Sequence, residues 1–264
     1  MATESNAAVQ LEEQASGGKI RDRRYVGSKE TAAYVLDDIA QSFNIGKYDD
    51  VFKMNILKIS LSLQAVTNLV IGIWDIINDL FLAAIVDRTR TRWGKFKPWL
   101  VVYAVPGVII SVIYWGLPLV FGTQGIGSTM SRYIPYLVLQ IFSNLAGSLI
   151  AIVRQGMTAT ITPNIIDRTR LITSANLLSG FVEKAPEILM GLLIDIYINS
   201  PENKALEISN NVAYQLGYNR MFVLGGVITA VVSGLFALFY AFVAKERVMQ
   251  TVDRPSIFSG IKSV

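Results

Sequence analysis

Between Ile59 and Val86 the chain runs the length of a bilayer with only two ionisable side chains, Asp75 and Asp79, and an amide, Asn78, beside them. An apolar run of this length suits a membrane helix, which needs about 20 residues. In lipid a helix also satisfies its own backbone polar groups. Asp75, Asn78 and Asp79 stand at i, i+3 and i+4, so a helix places all three on one face. Gly72 and Asn68 continue that face one and two turns earlier. Ionisable groups inside a membrane helix are costly and mark a functional site by default. Oxygen donors of this kind suit a hard cation or a proton, not a soft metal. The competing reading is that Asp75 and Asp79 pair with Lys or Arg of neighbouring helices.

The rest of the composition narrows the chemistry. The 264 residues include no cysteine, which excludes disulfides and thiolate catalysis, and no histidine, which excludes imidazole relays. Proton coupling would have to use Asp, Glu, Tyr or water. No nucleophile–base pair, phosphate loop or metal-ligand cluster is present, so the sequence does not read as an enzyme and implies no cofactor. The net charge is only +4, and the basic residues sit in short loops between apolar runs. That is the pattern of a membrane protein's cytoplasmic loops, not of a nucleic-acid groove.

Six spans are expected, giving an all-α membrane protein. Residues 1–27 read as a disordered cytoplasmic tail ending in the basic run Lys19 to Arg24, and 28–244 as a six-helix transmembrane bundle. The first span, about Ser28 to Ile56, is polar and could line a cavity or lie on the membrane. Ile59 to Val86, Trp99 to Phe121 and Tyr133 to Thr160 follow, then Leu171 to Ile198, interrupted by Glu183, Lys184, Pro186 and Glu187, and finally Met221 to Ala244. Gly122 to Ser131, Pro163 to Arg170 and Asn199 to Leu216 read as loops. Lys and Arg crowd the loops after spans two and four and the segment after span six, while Arg132 and Lys204 stand nearly alone on the other side. The positive-inside rule then puts both termini in the cytoplasm.

Asp87-Arg88-Thr89-Arg90 recurs as Asp167-Arg168-Thr169-Arg170. Either both loops use one device, an acid near a helix end paired with Arg on a neighbour, or both carry ordinary positive-inside charge.

Trp74-Asp75-Ile76-Ile77-Asn78-Asp79, followed by Asp87-Arg88-Thr89-Arg90-Thr91-Arg92-Trp93-Gly94-Lys95-Phe96-Lys97-Pro98-Trp99, resembles the glycoside–pentoside–hexuronide:cation symporters of the major facilitator superfamily, the branch that includes melibiose permease. Pro163 to Leu171 and Lys245-Glu246-Arg247-Val248 support the match. The resemblance covers the N-terminal six-helix half of a twelve-helix fold, with 245–264 opening the cytoplasmic central loop. It implies that Asp75, Asn78 and Asp79 bind the coupling cation, Na+ or H+. It implies that Asp87, Arg88, Arg90, Arg92 and Lys95, with Asp167, Arg168 and Arg170, form a cytoplasmic gate. The positions where the family binds sugar fall on Ser42, on Arg154 or Gln155, and near Ala175 or Asn176, while Trp74 opens the cation motif. The cation motif therefore survives and the sugar contacts do not. Arg154 could attract an anionic substrate or snorkel to the interface.

The resemblance thus implies a plasma-membrane, cation-coupled symporter of sugars, glycosides or related organic anions, represented by one half. The C-terminal six-helix half is missing or supplied separately. The partners are a small solute and the lipid bilayer, with no nucleic acid. The alternative is a membrane sensor or scaffold that kept the fold and lost transport.

Overall fold

The computed structural model describes residues 24–121, 129–209 and 212–248. The N-terminal tail expected to be disordered, most of the basic run before the first span, most of the Gly-rich loop and the stretch after Val248 lie outside these residues. Among the described residues the fold is helical and has no strand. The longer helices are α1 (Ser28–Ser42), α2 (Leu61–Arg88), α3 (Lys97–Phe121), α4 (Thr129–Thr160), α5 (Ile165–Val182), α6 (Ala185–Asn199), α7 (Pro201–Ile208) and α8 (Val212–Val243).

Four of these, α2, α3, α4 and α8, are long and apolar enough, by length and composition, to cross a membrane. The first and fifth expected spans are broken. After α1 the backbone stops at Phe43 and restarts as a mixed helical segment, with a 3-10 turn at Gly46–Tyr48, an α turn at Asp49–Val51 and a π turn at Phe52–Ile56. The break is held by side chains: Asn44 Oδ1 accepts the Gly46 N–H at 2.8 Å, and Ser233 of α8 donates to the Phe43 carbonyl at 2.8 Å. The fifth span is divided at Glu183 and Lys184 into α5 and α6, with Pro186 in the first turn of α6, where a missing N–H costs nothing. Glu183 pairs with Lys184 at 2.8 Å, and Glu187 pairs with Lys47 at 2.6 Å.

Two expected loops are partly helical. Asn164 caps α5 by accepting the N–H groups of Ile166 and Asp167, so Asp167 to Arg170 belong to the helix, with Asp167 in its first turn. Ser200 and Pro201 start α7 inside the expected polar loop, and α8 begins nine residues before Met221. Polar composition concealed helices that capping residues and neighbours sustain.

Helices adjacent in space are mostly not adjacent in sequence. α2 packs on α4, α4 on α3, α3 on α8, α8 on α1, and α1 on α5. One apolar cluster, with Phe52, Trp115, Tyr136, Met190 and Phe222, fills the end of the bundle near the mixed segment. Another, with Val86, Phe96, Leu100, Met157 and Tyr240, fills the end that carries the loop 89–96, called the basic end below. Leu69, Ile73, Ile76, Leu80 and Phe81 of α2 and Leu177 and Phe181 of α5 stay exposed. Apolar outer faces of this kind are what lipid or further helices would cover.

Candidate functional site

The inward face of α2 is Gln64, Thr67, Ile71, Asn78, Leu82 and Val86, all buried, with Asp75 half-buried among them. Their spacing of three and four residues is one helical stripe. α4 covers it. Tyr133 shares a 2.8 Å hydrogen bond with Thr67, and Asn144 Nδ2 donates to Asp75 Oδ2 at 3.4 Å. Two polar atoms on this seam are buried with no partner, Asp75 Oδ1 and Asn78 Nδ2. A carboxamide can turn over about its last bond, so the Asn78 oxygen can take the place of its nitrogen. Asp79 is exposed, beside the buried stripe rather than in it, as are Asn68 and Gly72. The structure therefore joins Asp75 to Asn144, buries Asn78 on the same face of α2 and leaves Asp79 at the open edge. The pairing of Asp75 and Asp79 with basic residues, the competing expectation, is not found among the ion pairs of the described residues. Those residues also hold no cluster of three acidic, His or Cys side chains suited to a metal. Asn144 was not anticipated, because nothing local in α4 marks it as facing Asp75.

The residues expected to form a gate divide into separate contacts. Asp87 pairs with Lys95 at 2.6 Å within the loop that joins α2 and α3. Arg92 lies over the Trp93 ring at 5.7 Å. Asp167 accepts the Tyr25 N–H at 2.6 Å, while Arg168 donates to the carbonyls of Ala159 and Thr162 at the end of α4, at 2.7 and 2.9 Å. Arg88, Arg90 and Arg170 are exposed. The two Asp-Arg-Thr-Arg copies thus do different jobs, since one ends a helix and the other begins one. Sequence reading gave Glu246 no role of its own: it accepts the main-chain N–H groups of Lys95, Phe96 and Lys97 at 2.7–2.9 Å.

Arg154 neither snorkels nor stands free for an anionic solute. It turns inward, its Nε donating to Asp37 Oδ2 at 2.6 Å, with Asp38 at 3.8 Å. Gln155 lines the same cavity of about 330 Å³. Ser42 is half-buried at the end of α1, and Trp74 and Asn176 are exposed on α2 and α5. Of the five residues expected to touch substrate, only Arg154 and Gln155 are brought together. A second cavity of about 410 Å³ lies between α1, α3, α4 and α8, lined by Gln41, Asn44, Asp49, Tyr103, Gln140 and Ser143 among others.

Comparison with known proteins places the chain in a family. Residues 41–264 match the family described as MFS/sugar transport protein. An uncharacterized symporter of Synechocystis sp. is 31% identical over 104 residues, which are 39% of this chain and 19% of that protein. An inner membrane symporter of Escherichia coli is 28% identical over 99 residues, 38% of this chain and 20% of that protein. A lactose permease of Leuconostoc lactis is 34% identical over 114 residues, 43% of this chain and 17% of that protein. The matched stretch spans about a fifth of the length of these relatives. They are transporters, not enzymes. On its long family match and its α2 motif, the chain belongs to the MFS/sugar transport protein family, where it corresponds to the N-terminal part of a glycoside–pentoside–hexuronide:cation symporter.

Proposed function

We propose that this chain forms the N-terminal six-helix portion of a cation-coupled secondary transporter that carries a sugar or glycoside together with Na+ or H+. The observation that carries the reading is the pair of unpartnered buried atoms, Asp75 Oδ1 and Asn78 Nδ2, on a helix face that α4 otherwise covers. A buried polar atom without a partner is costly, and a bound cation would supply one to Asp75. Asp79, one residue on at the open edge, gives the ion a second carboxylate and a route in. Binding neutralises charge that α2 would otherwise hold in low dielectric, and so couples occupancy to movement of the helix. An organic anion fits less well, because Asp37 already neutralises Arg154.

In this reading the transporter works in the cell membrane with both ends of the chain in the cytoplasm, and the basic-end contacts form its cytoplasmic gate. Alternating access then requires a second six-helix unit rocking against this one. That unit is a further part of the same polypeptide or a separate chain. The exposed faces of α2 and α5 are available to it.

The test is a Na+ titration of the purified chain in lipid nanodiscs, followed by tryptophan fluorescence. Trp74 adjoins Asp75 in sequence and is 40% exposed, which makes it a local reporter. A saturable response that disappears in Asp75→Asn and in Asp79→Asn supports the reading. In a complete transporter, Asp79→Asn should abolish cation-dependent uptake. Unchanged titrations and unchanged uptake in both variants would overturn the site.

A sensor or scaffold is the second reading. It is favoured by the Arg154–Asp37 pair, which occupies a side chain at an expected sugar position. Cation binding without uptake, measured in liposomes containing both halves, would select it.

A further inference from the structure

The seam between α2 and α4 joins a carboxylate to an amide of the other helix. Asn144 of α4, half-buried, donates from Nδ2 to Asp75 Oδ2 at 3.4 Å. A carboxylate only accepts, so the amide must turn an N–H toward Asp75 and keep its carbonyl oxygen for something else. That oxygen accepts no hydrogen bond among the described residues. The bond is long, since about 2.9–3.0 Å is typical, so Asp75 is steered by Asn144 rather than saturated by it. The second carboxylate oxygen, Oδ1, is buried and has no partner.

The surroundings of this contact point to an occupant. Asn78 lies one turn along α2 from Asp75, buried, and with its Nδ2 unpartnered as well. Turned about its last bond, it presents an oxygen instead. No Lys or Arg pairs with Asp75 among the described residues, so its charge is not balanced within the protein. There is also room: Gly147 follows Asn144 by one turn on the same face of α4, and nothing lies within 4 Å of where its Cβ would stand. Hydrogen bonds between membrane helices are individually weak, and one long bond does not offset a carboxylate whose other oxygen is buried without a partner. Packing alone therefore does not account for Asn144.

Resting on the ion-site reading above, we propose that Asn144 is a positioning and specificity-determining residue of that site, and that it fits the site to an alkali cation rather than a proton. Asn144 draws one oxygen of Asp75 toward α4, which fixes the direction in which Oδ1 presents its lone pairs. A cation at Oδ1 has the Asn78 carbonyl one turn away on α2 and the Asn144 carbonyl across the seam. A proton would satisfy Oδ1 and leave both amide oxygens unused, whereas a hard cation takes several oxygens at once. A carboxylate free to rotate adapts to ions of different size. One that is oriented from a second helix holds a set spacing and discriminates between them.

The experiment titrates the full chain in lipid nanodiscs with NaCl and with KCl, choline chloride keeping the ionic strength constant. It reads Trp74 fluorescence and, separately, the midpoint of thermal unfolding. The wild type should bind Na+ in preference to K+. Asn144→Leu keeps the volume and removes both polar atoms. It should weaken Na+ binding about tenfold, as loss of a ligand-orienting partner does, and bring the Na+ and K+ affinities together. Asn144→Gln keeps the amide and should recover part of the preference. Asn144→Ser lacks the amide, should behave like Asn144→Leu, and replaces it if that variant does not fold. A merely structural Asn144 would instead lower the unfolding midpoint in choline and leave the ion affinities and their ratio alone. Unchanged Na+ and K+ affinities in Asn144→Leu and Asn144→Ser, with the response still lost in Asp75→Asn, would overturn the proposal and leave the ion site standing. A wild type with no saturable Na+ response would overturn it too, and uptake by Asp79→Asn in a complete transporter would then decide the ion site separately.

Discussion

Glu246 and Lys97 each hold the end of the other's helix. Glu246, just beyond α8, accepts the Lys97 N–H at 2.7 Å at the start of α3, and Lys97 Nζ donates to the carbonyls of Phe242 and Ala244 at the end of α8, at 3.0 and 2.9 Å. The acid meets a positive helix terminus and the cation a negative one. Glu246→Ala leaves three N–H groups unsatisfied and should cost about 2 kcal/mol, read as a lower midpoint of thermal unfolding in detergent. Lys97→Met should cost about 0.5–1 kcal/mol in the same assay. Gly94→Ala should also destabilise: its φ is +111°, and a Cβ there would overlap the Glu246 carboxylate.

α3 and α8 approach closely at two glycines. A Cβ on Gly226 would overlap Trp115, and one on Gly234 would overlap Val108. Gly226→Ala should therefore cost about 1–3 kcal/mol by overpacking. Gly72→Ala, where nothing lies within 4 Å, should be neutral or slightly stabilising. Equal effects of the two substitutions on the unfolding midpoint would contradict this packing.

The Arg154–Asp37 pair should reveal itself through double substitution. Arg154→Met leaves Asp37 buried without its partner and should destabilise by about 3 kcal/mol. Asp37→Asn combined with Arg154→Met removes that stranded charge and should recover most of the loss. Additive losses in unfolding midpoints would mean that the two side chains are not coupled.

Orientation can be read by chemical labelling, because the chain has no native cysteine. In intact cells an impermeant maleimide should label Lys204→Cys and leave Thr91→Cys unlabelled until the membrane is opened. The reverse pattern would invert the proposed topology.

The four apolar helices were legible because a bilayer-length hydrophobic run has few alternatives, and their ends fell within a few residues of the runs themselves, apart from the early start of α8. The breaks in the first and fifth expected spans were not legible in the same way. They depend on partners far along the chain, such as Ser233 holding Phe43 and Lys47 holding Glu187. Helical spacing grouped Asp75, Asn78 and Asp79, yet neighbouring residues differ by about 100° around a helix. Packing against α4 therefore buries Asn78 and leaves Asp79 outside. Arg154 was visible as an odd charge in an apolar helix, but its partner is 117 residues away in a segment too polar to stand out.

The four residues after α8 are also a matter of timing. Arg247 donates to the Ile161 carbonyl and binds Glu30, which lies 217 residues earlier. A ribosome releases Glu30 long before Arg247 exists. The first helix to leave the ribosome therefore waits, without this clasp, for nearly the whole of the described chain to be made. Insertion machinery or lipid must shelter its buried acids Glu30 and Asp37 in the interval. A nascent chain cut short before residue 246 has its helices but lacks the Glu246 and Arg247 contacts at their basic end, which makes it a natural target for membrane quality control.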